Sequence, residues 1–216
     1  MTDAQFPPES FESHFPDSWF TCTEPSIHNL ENLGVSKDCA RLIRDIKYVC
    51  NKLSLVWPSN PSEDYCSEIL ARLMHLPLPV EEGPLVASVT EAIRRASVML
   101  CFWPFKNDYP SPALFIKVQL HKLKAALETM IELAGTKHLL LPWLLGAGGV
   151  YAEEPERSWF VGHLEMVATD LNINSYEDLR PHLIRVVWVE FFLGEPFEEL
   201  WNEVAAKRQL AFDDLG

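Results

Sequence analysis

The stretch from Pro112 to Gly135 reads PALFIKVQLHKLKAALETMIELAG. Ile116, Leu120, Leu123, Leu127, Met130 and Ile131 recur every three to four positions, the spacing of one face of an α-helix and not the alternation of a half-buried strand. Gly135 closes the run, as glycine does at helix ends. This segment sets the expectation for the whole chain, because the same period continues on both sides of it.

Upstream, Val86, Val89, Ile93, Ala96 and Leu100 form a stripe ended by Trp103-Pro104. Tyr65, Ile69, Leu73 and Leu76 form another, between Pro61 and Pro77. Cys39, Leu42, Ile43, Ile46, Cys50 and Leu53 make the first, with Ser36 placed as its N-cap. Downstream, Leu139 to Ala152 (LLLPWLLGAGGVYA) reads as a buried helix, and Phe160, Leu164, Val167 and Leu171 give the next stripe. Ser175, with Asp178 three positions on, predicts a capped helix start running through Leu179 and Leu183. Pro196, after Gly194, predicts the first turn of a last helix carrying Phe197, Leu200, Trp201 and Val204. Val186 to Phe192 (VVWVEFF) is strand-like in composition but lies within helical reach of the preceding stripe, and is read as helix. The breaks at Pro58–Pro61, Pro77–Pro84 and Trp103–Pro112 are loops within one array. The predicted class is all-α: a single array of about eight helices over residues 35–216, preceded by an acidic aromatic arm.

That arm, residues 1–34, holds six acids, four prolines and no Lys or Arg, together with Phe6, Phe11, Phe15, Trp19 and Phe20. Such a composition cannot fold alone and is expected to be flexible or to drape over a neighbour. The whole chain of 216 residues carries 31 acids against 18 Lys plus Arg, a net charge of −13. That balance argues against a nucleic-acid backbone as direct partner, which needs clustered cations. An apolar share of 48% with 12 Phe and 7 Trp excludes a wholly disordered chain, and 9 Gly without a period exclude collagen. The acidic, proline-containing start predicts no secretory signal. Leu139 to Ala152 would span roughly 21 Å as a helix, short of a bilayer core of roughly 30 Å, so no membrane partner is expected. Five dispersed cysteines without a CxxC read as reduced thiols of a nuclear or cytoplasmic protein.

No catalytic signature emerges. Gly146-Ala147-Gly148-Gly149 lacks the preceding strand and sixth-position small residue of a dinucleotide loop, and reads instead as a place where helices pack closely. His121, His138, His163 and His182 do not fall at metal-ligand spacing, and no GxSxG elbow is present. Glu195, Glu198 and Glu199 complement a helix N-terminus. The sequence predicts neither a cofactor, a metal site nor a catalytic residue.

Residues 138–204 carry the most specific pattern. A Leu-rich helix passes through Trp143 to Gly148-Gly149. Arg157-Ser158-Trp159-Phe160 opens the next helix. A third starts at Ser175 with Leu179, and Leu183, Arg185 and Trp188 follow. This pattern resembles the end of the regulatory domain of fungal zinc-cluster transcription factors. The resemblance implies an all-helical regulatory module that serves effector response and protein contacts. In that family the module lies C-terminal to a DNA-binding cluster of six cysteines with CxxC pairs, which these five cysteines do not write.

The resulting expectation is a non-enzymatic, transcription-factor-like regulatory module that acts through protein partners and admits a small-molecule effector. Trp143, Gly148, Gly149, Arg157, Trp159 and Trp188 are its candidate ligand- or partner-contact residues. Each also has a plainer role: the tryptophans as core anchors, the glycines as points of close approach, Arg157 as an exposed ion-pair partner. Two other functions fit the same sequence, a helical metabolite-binding protein or enzyme unrelated to transcription and a purely structural scaffold. A deep pocket with converging His, Glu or Arg groups would favour the enzyme.

Overall fold

A computed structural model describes residues 30–56, 63–102, 111–188 and 190–213. Among these the chain forms α1 (Lys37–Val56), α2 (Glu63–His75), α3 (Pro84–Phe102), α4 (Pro112–Ala134), α5 (Leu141–Tyr151), α6 (Glu156–Asp170), α7 (Tyr176–Ile184) and α8 (Glu190–Asp213). A 3-10 turn, Val80–Glu82, joins α2 to α3, and no strand occurs among the described residues. The described residues are all-α with eight helices, as the periodicity predicts. Residues 1–29 of the expected arm lie outside the described residues, as do the side chains of Cys50, Leu53 and Tyr65 and the Trp103-Pro104 break. Leu30, by contrast, is buried, and Leu33 packs against the core. No described helix is long and apolar enough to cross a membrane.

The array is arranged around α5. Ten of its eleven residues are buried, and it packs against α3, α4, α6, α7 and α8. A helix enclosed on all sides has no polar face to show, which is why LPWLLGAGGVY contains no charge. Its glycines set how close the neighbours come. A Cβ on Gly146 would lie 3.0 Å from Phe197 Cδ1, one on Gly148 2.6 Å from Phe160 Cζ, and one on Gly149 2.7 Å from Leu200 Cδ2. Gly146 and Gly149 are one turn apart and face Phe197 and Leu200, also one turn apart, so α8 is keyed to α5 in a single register.

Helix ends follow the local chemistry. The Ser175 hydroxyl accepts from the Asp178 N–H at 3.1 Å, while the Asp178 carboxylate accepts from the Ser175 N–H at 3.0 Å, a reciprocal cap for α7. Gly135 ends α4 at a φ of 74°. Asn172, at 56°, does the same beyond α6: its N–H reaches Thr169 C=O and the next N–H reaches Ala168 C=O.

Charged side chains that enter the interior are tied to neighbours. Asp45 of α1 is fully buried and accepts from Arg72 of α2 at 2.9 Å. Arg95 of α3 donates to Glu91 and to Gln119 of α4, each at 2.8 Å, and Arg94 donates to the Leu76 carbonyl at 2.7 Å. These contacts fix α1–α2, α3–α4 and α2–α3 against one another at the cost of desolvating the ions.

Two local expectations are corrected. Val186 to Phe192 is not continuous helix. α7 stops at Ile184 and α8 begins at Glu190, with buried Val186 and Val187 in an irregular link. The Trp143 indole N–H takes the Val187 carbonyl at 2.8 Å, so that carbonyl closes the core instead of a helical turn. Nor does the last helix begin at Pro196, which lies inside α8. Leu193, Phe197, Leu200, Trp201 and Val204 form one buried stripe, so the apolar face starts a turn before the proline. Burying a leucine stabilises by about 1.5–3 kcal/mol, comparable to the roughly 3 kcal/mol an interior proline costs, and the helix continues.

His138 joins the segment before α1 to the entry of α5. Its Nε2–H donates to the Leu33 carbonyl at 3.1 Å and its Nδ1 accepts from the Leu140 N–H at 3.3 Å, an assignment that follows from those two partners. Burial holds its pKa below the ordinary 6.5, and a second proton would aim an N–H at the N–H of Leu140. His182 is shifted the same way by burial, then by Arg185.

Two predictions follow from this packing. An exposed helical Gly→Ala change stabilises by about 1 kcal/mol, whereas overpacking a core costs about 1–3 kcal/mol. Gly146→Ala and Gly148→Ala are therefore expected to be net destabilising, read as a lower midpoint in chemical denaturation with an unchanged slope; equal or higher midpoints would show that the close approach to Phe197 and Phe160 is not a constraint. For the histidines, the folded state binds its proton less readily than the unfolded chain. Their stabilisation is complete above pH 6.5 and is lost as pH falls through the lowered folded value. His138→Gln should flatten that decline in melting temperature without abolishing it, because His182 titrates in the same window.

Candidate functional site

Of the six residues singled out by the sequence, Trp143, Gly148 and Gly149 are buried, and Arg157, Trp159 and Trp188 are partly exposed. Trp143 is wholly enclosed in α5. Gly148 and Gly149, on the same helix, receive Phe160 and Leu200. Trp188, in the α7–α8 link, rests edge-on against Phe197 with ring centres 5.2 Å apart. Its indole N–H donates to Glu190 at 2.9 Å and, ahead of the Arg180 guanidinium, holds that carboxyl below the usual carboxylate range. These four residues position helices.

Arg157 lies in the first turn of α6. Its Nε donates to both carboxylate oxygens of Glu203 on α8, at 3.0 and 3.1 Å, and its Nη2 donates to Glu203 at 2.6 Å. Its Nη1 donates to the Gly149 carbonyl at 2.8 Å, at the end of α5. One guanidinium thereby joins three helices, and its carboxylate partner is Glu203, not its sequence neighbours Glu153, Glu154 and Glu156.

Trp159 stands half-buried on the outer side of α6. His163 stacks on it at 3.9 Å, and the Lys124 ammonium of α4 lies over the ring at 5.0 Å. Lys124 is also part of the wall of an open cleft of about 630 Å³ between the first half of α4 and the α5–α6 connection. Leu114, Val118 and Leu120 of α4 and Tyr151 of α5 supply its apolar lining. Leu114 is 64% exposed and Val118 43%, one turn apart and facing the same opening. Lys117 and Lys122 bring positive charge along α4, beside His121, and Glu153, Glu154 and Glu156 of the α5–α6 connection and the start of α6 also line the cleft. Glu154 accepts from the Ser158 hydroxyl at 2.8 Å, which steadies that carboxylate. The cleft is thus lined by apolar, basic and acidic side chains together.

The sequence reading missed the α4 side of this cleft. The available signal was the excess of apolar residues at the start of α4: Leu114 and Val118 fall off the stripe of Ile116, Leu120 and Leu123, and a helix with one buried face has no need of them. Elsewhere, burial pushes the Cys39 thiol up to about 12, so it stays protonated and unreactive at neutral pH. Among the described residues no group of His, Cys, Asp or Glu is arranged to hold a metal ion. No family model, curated protein or solved structure matches this chain.

The Arg157 contacts give a graded expectation. Its side chain is 22% exposed and that of Glu203 44%, so the ion pair is worth about 0.2–1 kcal/mol. Arg157→Ala also removes the stronger partner of the Gly149 carbonyl, which otherwise keeps only the Ala152 N–H at 3.3 Å, adding about 0.5–1.5 kcal/mol. Denaturation of the two single variants should show Arg157→Ala losing more stability than Glu203→Ala. Equal losses would mean that the carbonyl contact contributes nothing.

Proposed function

We propose that this chain is a non-enzymatic regulatory module of the transcription-factor type, acting through protein contacts made at the α4 cleft. The exposed pair Leu114 and Val118, at a cleft lined by both basic and acidic side chains, carries the reading. Water contact with two neighbouring aliphatic side chains is unfavourable, and a protein segment with an apolar ridge relieves it. Flanking charges then select its orientation and register more than they add affinity. The aromatic and glycine pattern of residues 143–188, which resembles the fungal regulatory domain, supports the same assignment through the kind of scaffold it builds. A small-molecule effector is the second reading, favoured by the cleft's 630 Å³, within the range of ligand sites.

Fusion of the chain to an unrelated DNA-binding domain tests this proposal. Reporter transcription is expected to change with the fusion and to return to the level of the DNA-binding domain alone in the Leu114→Ser, Val118→Ser double variant. Both positions are exposed, so the variant's melting temperature should be nearly unchanged. A fusion that leaves the reporter unaltered, or binding of the unfused chain to DNA at physiological salt, would overturn the assignment.

A further inference from the structure

We propose that the outer face of α4 pairs end for end with the same face of a second copy of this chain, a proposal that rests on α4 being the protein-docking surface and names its partner.

The charges of α4 are sorted along its length. Its three lysines all precede Ala125 and its two glutamates both follow it. Lys117, His121, Ala125, Glu128 and Glu132 succeed one another at helical spacing and are all exposed, with exposed Lys122 beside them. Laid antiparallel, this face on one copy meets the same face on another with unlike charges opposed. Turned end for end about a point beside Ala125, α4 sets Lys117 of one copy opposite Glu132 of the other. The order is the reverse of what a lone helix favours, since a helix N-terminus attracts anions and its C-terminus cations. The first turn of α4 has no acid, its last turn has no base, and Glu132 lies in that last turn. An antiparallel neighbour removes the conflict by bringing its own lysine half to the glutamates. Among the described residues none of Lys117, Lys122, Glu128 and Glu132 makes an ion pair within the chain, so all four charges remain for a partner.

The apolar residues fit the same pairing. Leu133, 47% exposed, falls along the axis between Leu114 and Val118 of the other copy, so the exposed aliphatic side chains of α4 cover one another. Ala125, next to the two-fold axis, has no long side chain to hold the helices apart. A two-fold interface requires a patch that is its own complement. Copies of a chain with net charge −13 repel one another at long range, and the α4 face, where two exposed lysines balance two glutamates, is one on which they attract at contact. From Leu114 to Leu133 that face is roughly 29 Å long. One helix pair is a small interface, so the association is micromolar or weaker and sensitive to salt.

Sedimentation equilibrium of the full chain, from micromolar to submillimolar concentration, tests the pairing. At low salt the mass is expected to approach that of two chains, and to fall towards one chain as salt is raised. The Lys117→Glu, Lys122→Glu variant and the Glu128→Lys, Glu132→Lys variant should each self-associate at least about tenfold more weakly, the factor given by 1.4 kcal/mol. An equimolar mixture of the two sets an acidic face against a basic one and should pair at least as tightly as the unaltered chain. A single-chain mass at every concentration, self-association untouched by either reversal, or a mixture that stays unpaired would overturn the inference. A second measurement needs no variant: a water-soluble carbodiimide, applied to mixed isotopically labelled and unlabelled chains, should join Lys117 to Glu132 between chains. Absence of that link at concentrations where the chain pairs would also overturn the inference. A chain that stays single while reporter output depends on Leu114 and Val118 would leave the docking surface to another protein. Pairing restored by the mixture without any reporter response would keep this inference and remove the regulatory reading.

Discussion

The architecture depends on a helix that has no outside. Because α5 is covered by five other helices, each of its positions must fit a neighbour, and the three glycines decide which neighbours fit. Phe160, Phe197 and Leu200 occupy the space that side chains on α5 would otherwise fill. Glycine lowers helix propensity by about 1 kcal/mol at each site. Burying a Phe or Leu side chain returns about 1.5–3 kcal/mol, so closeness wins over propensity. Most other features of the C-terminal half follow: the register of α8, the seating of Trp188 on Phe197, and the position of the α5 carbonyl end that Arg157 reaches.

The polar contacts act on this arrangement in a different way. The Asp45–Arg72 pair and the Arg95–Glu91–Gln119 group are enclosed, and their desolvation offsets much of their attraction. Their value is positional, since each joins two helices at one geometry. Arg157 is partly exposed and contributes less energy, yet its one guanidinium links α5, α6 and α8.

The helices were legible because their stripes are long and their period consistent. Ser175 with Asp178 and Gly135 announced their turns through side-chain and backbone chemistry confined to a few neighbouring residues. The failures lie where a distant contact overrides local pattern. Val186 and Val187 look like part of a helix until Trp143, more than forty residues away, takes a carbonyl from the link. Pro196 looks like a beginning until Leu193 is seen to share the buried face of Phe197. The chosen tryptophans and glycines were conspicuous in the sequence because of their size, large or small, and size is what a core selects. The cleft is lined by ordinary residues, Leu114, Lys117 and Val118, whose importance comes from lying off the stripe on a face that no described helix covers.

The glycine contacts also bear on how such a chain can diverge over generations. Room at each crossing is shared between two positions, 146 with 197, 148 with 160 and 149 with 200, so what is inherited is the combined volume of a couple and not either residue alone. A descendant that gains a methyl group on α5 keeps its shape only by trimming the opposite ring or branch. Drift in this half of the molecule is thus channelled into matched exchanges, while the rim of the cleft remains free to change one side chain at a time.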